Sequence, residues 1–192
     1  MQLTTVVLSL FAAAASAGCV PRDTAPRKFG IMSLRSASPV HFGTAGASKN
    51  KLVLNLPEDQ LDAECTDGVA RRDAVFYIKD GELYLYGPED GKVQSFFTDR
   101  SGMGQGVLQY YNKGEQGLGR NFEVKGWALD ENDNLTFNGS GLIACPSEDG
   151  PWYVWVSAGV NKPAGQEGCL GFSARTIDTV EPVQCTYSSY SA

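Results

Sequence analysis

Histidine is almost absent from this chain of 192 residues, and the common catalytic motifs that need it are missing too. The only histidine is His41, in segment 38–42, where the sequence favours a structural or surface role. There is no G-x-S-x-G nucleophile motif and no H-E-x-x-H zinc helix. Without a C-x-x-C pair a zinc site is not expected either. We therefore predict no catalytic residues, no metal and no cofactor.

Basic residues are also scarce, with 16 Lys and Arg against 22 Asp and Glu and a net charge of -6. Binding to nucleic acid or to an anionic membrane needs a clustered excess of positive charge. Neither is therefore predicted as a partner. Calcium is disfavoured at the acidic turn Asp130-x-Asn132-x-Asn134, because Leu135 stands where a calcium loop needs glycine.

Long apolar runs are missing everywhere except at the N-terminus. Leu3 to Ala17 is almost wholly apolar or small and ends in Ala-Ser-Ala, the pattern that signal peptidase cleaves. About fifteen residues are too few for a membrane span of roughly twenty. The run therefore predicts a signal peptide over residues 1–17 and no membrane partner.

The boundaries after the signal peptide follow from composition. Residues 18–28 contain few large apolar side chains, which predicts a flexible leader. Lipidation of Cys19 is disfavoured, because Ser16 occupies the position where a lipoprotein signal has leucine. Residues 29–192 are predicted to form a single domain, since their number fits one domain of ordinary size.

Turn and strand signals dominate the predicted domain. The clearest is the Asp80-Gly81 pair between the β-rich runs 74–78 and 82–86, which is typical of a hairpin with a type I′ turn. No stretch of ten residues has a convincing helical period. A pattern L-x-[LF]-x recurs after polar turns, as in a β-trefoil, but its unequal spacing fits a β-sandwich nearly as well. We predict an all-β fold that is either β-trefoil-like or a β-sandwich.

Covalent modifications are predicted at two kinds of residue. Beyond the leader the chain has an even number of cysteines, which predicts two disulfides and leaves three pairings open. These cysteines are Cys65, Cys145, Cys169 and Cys185. Asn134 and Asn138 each begin an N-x-Ser/Thr acceptor in a turn-rich stretch, which predicts N-glycosylation of at least one of them.

Four aromatic residues are the candidate binding residues: Trp127, Trp152, Tyr153 and Trp155. Aromatic rings stack on sugar faces and dominate protein interfaces. Because side chains alternate along a strand, Trp152 is expected to face one way and Tyr153 and Trp155 the other. At least one of these two faces is expected to be core.

A likeness to a known family rests on three segments, Phe29–His41, Gly139–Cys145 and Pro182–Tyr187. They resemble the PhiA family of small secreted fungal cell-wall proteins, some of which are known as IgE-binding antigens. The resemblance implies a filamentous fungus, a location outside the cell or in the wall, and no known enzymatic activity.

A more distant likeness involves the cysteines and tryptophans. The order of Gly126-Trp127, Cys145, the aromatic strand 152–155, Cys169 and Cys185 is similar to the four-cysteine C-terminal domain of yeast cell-wall proteins with internal repeats. Those proteins attach to glucan through a Gln-containing repeat, which this sequence lacks. The likeness therefore does not imply covalent anchorage, and any retention in the wall would be non-covalent.

These observations together predict a non-enzymatic secreted protein of the fungal cell wall or apoplast that binds glycan or protein. Its predicted partner is a cell-wall polysaccharide or an extracellular protein of the host or the fungus. The alternative is a secreted virulence effector that inhibits a host extracellular protease, with a cysteine protease favoured. Loops 43–50 and 99–121 would then be the candidate inhibitory loops.

Overall fold

The structure, a computed structural model, describes residues 25–115 and 117–189. The predicted signal peptide, Cys19 and most of the predicted leader lie outside the described residues. The strands are β1 (Lys28–Leu34), β2 (Ala45–Ser48), β3 (Lys51–Leu54), β4 (Glu64–Cys65), β5 (Phe76–Lys79), β6 (Glu82–Leu85), β7 (Gln94–Asp99), β8 (Val107–Asn112), β9 (Trp127–Leu129), β10 (Leu135–Phe137), β11 (Leu142–Pro146), β12 (Trp152–Val156), β13 (Leu170–Asp178) and β14 (Cys185–Thr186). Two 3-10 helices are described, Glu58–Gln60 and Pro163–Gly165. Over these ranges no helix has the length and apolar character needed to cross a membrane.

The hairpin of β5 and β6 forms at the predicted turn. Asp80 and Gly81 have φ values of 52° and 77°, as a type I′ turn requires. The strands pair antiparallel with Lys79 opposite Glu82. Because side chains alternate along each strand, one face of the hairpin enters the core and the other faces outward.

The main sheet closes on itself into a barrel-like ring. Its strands are hydrogen-bonded in the order β11, β13, β1, β5, β6, β7, β8, β12, and β11 also pairs with β12. Strand β3 pairs with both β8 and β12 where these two separate, so nine strands take part in the ring, and β2 extends it from β3. The predicted all-β class and the single domain are confirmed. The trefoil or sandwich arrangement is not confirmed.

Aromatic side chains form a continuous row inside the ring. Phe29, Phe76, Phe96 and Tyr110 come from β1, β5, β7 and β8, with successive ring centroids 6.2, 6.0 and 5.6 Å apart. All four are buried, and burying such a side chain contributes roughly 1.5–3 kcal/mol. The Tyr110 hydroxyl donates a hydrogen bond to the carbonyl of Ser188, and burial raises the pKa of Tyr110. This row joins the early strands of the chain to the middle of the sheet and to the C-terminal segment.

Both predicted disulfides are present. Cys65–Cys185 joins β4 to β14 across a sequence separation of 120, and these two residues also pair in register. Cys145–Cys169 joins β11 to the segment before β13 across a separation of 24. The first bridge therefore joins β4, which follows the first three strands, to the C-terminal segment, and the second braces the pairing of β11 with β13.

Candidate functional site

Strand β12 has one face in the core and one face outside the ring. Val154 and Val156 are buried in the core, and Trp152 packs against that core from the same face. Tyr153 and Trp155 alternate with them and lie on the outer face, where both are half-buried. The structure therefore separates Trp152 from Tyr153 and Trp155, which share one surface.

Tyr153 lies in a groove beside the end of β3, which we call the Tyr153 groove. The groove has a volume of about 500 Å³. It is lined by Ser48, Lys49, Lys51, Val53, Leu56, Gln60, Asp149, Pro151 and Tyr153. An aromatic ring, two ammonium groups, a carboxylate, an amide and a hydroxyl thus meet on one surface.

Two contacts order the Tyr153 groove. The Nζ atom of Lys51 lies 3.9 Å from the centroid of the Tyr153 ring, which is a cation–π contact. Burial lowers the pKa of Lys51. The Nε2 atom of Gln60 donates a hydrogen bond of 2.8 Å to the backbone carbonyl of Asp149, which ties the 3-10 helix to the turn before β12. One ring face of Tyr153 is therefore covered by an ammonium group, and the groove wall is held in place.

Trp155 extends the outer face of β12 away from the groove. It lies opposite Ile143 of β11 and Val107 of β8 in the sheet, and residues that pair in register have their side chains on the same face. All three are half-buried. Residues two apart in a strand are about 6.5–7 Å apart, so Trp155 and Tyr153 form a short aromatic line along β12.

Trp127 lies away from this line. It is on β9, only 2% exposed, and its ring packs edge-on against Phe137 of β10 with centroids 5.0 Å apart. A ligand at the surface does not reach this ring. Of the four candidate binding residues, the structure therefore brings Tyr153 and Trp155 together on the surface, while Trp127 belongs to the core and Trp152 packs against it.

The two predicted glycosylation acceptors lie on the β9–β10 hairpin and its flanking turn, in different surroundings. Asn138 is exposed at a tight turn and has a φ of 47°. Asn134 is half-buried; its Nδ2 donates to Asp130 at 3.0 Å and its Oδ1 accepts from Arg175 at 3.2 Å. Asn138 is therefore an exposed residue whose amide lies beside the backbone of Gly126, and the Asn134 amide is held by two side chains.

The charged groups of β6 and the end of β8 form an ion-pair cluster. Oε2 of Glu82 accepts hydrogen bonds from Nζ of Lys113 at 2.6 Å and from the Tyr84 hydroxyl at 2.7 Å. Burial raises the pKa of Glu82, but the hydrogen bonds from Lys113 and Tyr84 outweigh it, so the pKa lies below the usual value. The hydrogen bond to Glu82 raises the pKa of Lys113. General acid–base catalysis needs a pKa near the working pH, and both groups are shifted away from it.

His41 has a backbone hydrogen-bond partner, and the acidic residues of the described part of the chain form no metal-binding cluster. Nδ1 of His41 accepts a hydrogen bond from the backbone N–H of Arg35 at 3.1 Å. Within residues 25–115 and 117–189 no group of three or more His, Cys, Asp or Glu could hold a metal ion.

Several groove residues carry no signal in the sequence. Lys51 is 102 positions before Tyr153, and Gln60 is 89 positions before Asp149. Their approach depends on β3 lying beside β12, which no local pattern predicts. The cluster Glu58-Asp59-Gln60 after Pro57 indicates only a polar turn.

Comparison with known proteins agrees with the sequence likeness. The chain matches the family model for PhiA-like secreted proteins over residues 29–188. Cell wall protein phiA of Emericella nidulans is 41% identical over 191 residues, which cover 98% of this chain and 100% of the relative. The protein of the same name from Aspergillus fumigatus is 40% identical over 189 residues, with 98% and 100% coverage. That from Arthroderma benhamiae is 39% identical over 181 residues, with 92% and 96% coverage. No solved structure matches the chain.

The relatives carry the name of a cell wall protein, and PhiA is not a known enzyme family. Nothing in these comparisons supports the predicted alternative of an effector that inhibits a host protease. The predicted family and the predicted location outside the cell or in the wall are confirmed. The chain belongs to the family of PhiA-like secreted proteins and is a secreted protein of the fungal cell wall or extracellular space.

Proposed function

We propose that this protein has no enzymatic activity and binds a neutral cell-wall polysaccharide in the Tyr153 groove. The observation that carries the proposal is a surface aromatic ring set among polar side chains that donate and accept hydrogen bonds. A sugar ring has an apolar face and a rim of hydroxyl groups, so an aromatic ring with polar neighbours suits it.

The charges of the groove support a neutral ligand. Lys51 is engaged with the Tyr153 ring, which leaves Lys49 and Asp149 as charges of opposite sign in the lining. A polyanion or a polycation would lack a matching cluster of charge. Hydroxyl groups can accept from an ammonium or amide and donate to a carboxylate.

The same lining supports binding without hydrolysis. Glycoside hydrolases use a pair of carboxyl groups that flank the scissile bond. Among the described residues that line the groove, Asp149 is the only one with a carboxylate. We expect no reducing ends to be released when the protein is incubated with β-glucan or chitin. Measuring reducing sugar over time tests this directly.

Retention on particulate polysaccharide tests the binding proposal. The secreted protein is mixed with insoluble β-1,3-glucan or chitin, and the unbound fraction gives an affinity. Tyr153→Ala is expected to weaken binding by about tenfold, equivalent to about 1.4 kcal/mol, because it removes the stacking surface. Tyr153→Phe is expected to keep most of the affinity, since it keeps the ring.

Tyr77→Ala is the matched control. Tyr77 is also half-buried, on the outer face of β5, which is separated from β12 by several strands in either direction around the ring. Its removal is expected to leave binding unchanged. A wild-type protein that stays in solution with both polymers would overturn glycan binding, and equal losses for Tyr77→Ala and Tyr153→Ala would overturn the groove as its site.

A further inference from the structure

Phe42 lies in the loop between β1 and β2 and holds a large apolar ring in solvent, with 63% of the residue exposed. Its φ is 61°, a left-handed backbone conformation that bulky side chains rarely adopt. The exposed ring gains little from burial, and the backbone conformation costs stability. A residue with both properties is a candidate for contact with a ligand.

The loop holds the Phe42 ring in one place. The backbone N–H of Phe42 donates to the Ser33 carbonyl at 2.8 Å, and the N–H of Ser33 donates to the Gly43 carbonyl at 2.7 Å. The His41 imidazole stacks on the Phe42 ring with centroids 3.8 Å apart, and its Nδ1 accepts from the N–H of Arg35. His41 is therefore a positioning residue that covers one ring face and leaves the other to solvent.

The ring borders an open pocket of about 740 Å³, which we call the Phe42 pocket. Glu58 and Arg72 lie in it as an ion pair, with Oε1 3.4 Å from the guanidinium. Asp73 is there too, and it accepts a hydrogen bond from the Thr44 hydroxyl. The pocket thus has one aromatic face, planar polar groups and charges of both signs, the same combination as the Tyr153 groove.

One segment of chain, residues 55–61, separates the two sites. Gln60 lines the Tyr153 groove, while Asn55 and Glu58 line the Phe42 pocket. A polysaccharide repeats its unit, so a chain that occupies one site has identical units available for the next. Linking two contacts in one ligand raises the overall affinity without new chemistry.

We propose that the Phe42 pocket is a second contact site for the neutral polysaccharide chain that occupies the Tyr153 groove. This inference rests on the proposed function. The strained loop keeps the ring ready for stacking, so that no ordering of the loop is needed when the ligand binds.

Three substitutions of Phe42 distinguish the effect of its aromatic ring from the effect of its backbone conformation. Phe42→Ala and Phe42→Gly remove the ring, and both are expected to weaken retention on β-1,3-glucan or chitin by about tenfold. Phe42→Trp keeps an aromatic face and is expected to remain within about twofold of wild type. Met103→Ala is the control, because Met103 is an exposed apolar side chain on another loop, and it is expected to change nothing.

Thermal unfolding supplies a readout that does not depend on the ligand. Phe42→Ala is expected to melt close to wild type, since the ring is exposed. Phe42→Gly is expected to melt about 2–4 °C above Phe42→Ala, because glycine adopts the left-handed conformation without strain. A large fall in melting temperature for Phe42→Ala would give the ring a structural role and overturn the inference.

The binding outcomes distinguish this inference from the proposed function. If Tyr153→Ala loses affinity and every Phe42 variant binds like wild type, the second site is wrong and the groove stands. If the wild-type protein binds neither polymer, both are wrong. Loss of affinity in Phe42→Ala and Phe42→Gly with recovery in Phe42→Trp supports the second site.

Discussion

Glu82 is the clearest case of a single carboxylate that stabilises the fold through its charge. Its side chain is 11% exposed and accepts hydrogen bonds from Tyr84 and Lys113, of which Lys113 is 39% exposed. Solvent therefore screens part of the ion pair. We expect Glu82→Gln to lower the free energy of unfolding at pH 7 by roughly 1–2 kcal/mol, as measured by urea unfolding.

The pH dependence of this effect has a definite sign. The folded-state pKa of Glu82 is below its ordinary value. The stabilisation that the ionised Glu82 gives to the fold is therefore complete above the unfolded-state pKa and is lost as pH falls through the folded-state pKa. The difference between wild type and Glu82→Gln should therefore shrink as pH is lowered from 7 into the acid range. Glu167→Gln, which breaks a surface pair with Lys162, should change stability by less than about 0.5 kcal/mol. If the stability difference between wild type and Glu82→Gln stays constant down to the acid range, the effect does not come from the charge of Glu82.

At the scale of single elements, the β9–β10 hairpin with its flanking turn places the two predicted glycosylation acceptors in different surroundings. A glycan on Asn138 would leave the protein from an exposed turn. A glycan on Asn134 would compete with the bonds to Asp130 and Arg175. We therefore expect folded, secreted protein to be glycosylated at Asn138 and largely bare at Asn134.

Mass spectrometry of the secreted protein before and after enzymatic deglycosylation tests this expectation. Asn138→Gln should remove the mass shift, and Asn134→Gln should keep it. Because both variants delete one acceptor from the same hairpin, each is the control for the other. A full mass shift in Asn138→Gln would show that Asn134 is the occupied site.

At the scale of the whole molecule, the two disulfides restrict very different lengths of chain. In the chain-entropy account, stabilisation grows with the logarithm of the loop length. The separations of 120 and 24 then make the Cys65–Cys185 bridge about 1.4 kcal/mol more stabilising than Cys145–Cys169.

Paired serine substitutions measure that difference. Cys65→Ser with Cys185→Ser should lower the free energy of unfolding more than Cys145→Ser with Cys169→Ser, in denaturant titrations under the same conditions. Each pair contains one cysteine that is fully buried, Cys185 or Cys145, so the loss of packing is similar. An equal loss, or a larger loss for the short loop, would contradict the entropic account for this protein.

The sequence predicts those parts of the fold that are specified by residues close together in the chain. The Asp80-Gly81 turn determines its own hairpin, because the backbone conformation is set by the two residues in it. The pairing of β1 with β13 joins Phe29 to Asp178, and no pattern within either segment specifies the other. Closure of the ring depends on such long-range pairs, and for that reason the arrangement of the strands could not be chosen in advance.

The candidate site also contains residues whose position the sequence predicts and residues whose position depends on long-range packing. Alternation along β12 predicts that Tyr153 and Trp155 share a face, since strand geometry alone places them there. Lys51 and Gln60 reach Tyr153 and Asp149 only through the packing of β3 beside β12. Phe42 carries no sequence signal at all, because its exposure and its left-handed backbone are set by hydrogen bonds of the surrounding loop.

The Cys65–Cys185 bridge has a consequence for persistence outside the cell. Strands β5 to β13 all lie between the two bridged positions. A protease that cuts any one loop in this span leaves two fragments that are still covalently joined and still hydrogen-bonded in the ring. Extracellular nicking at a single position is therefore expected to leave the molecule assembled until the bridge is reduced.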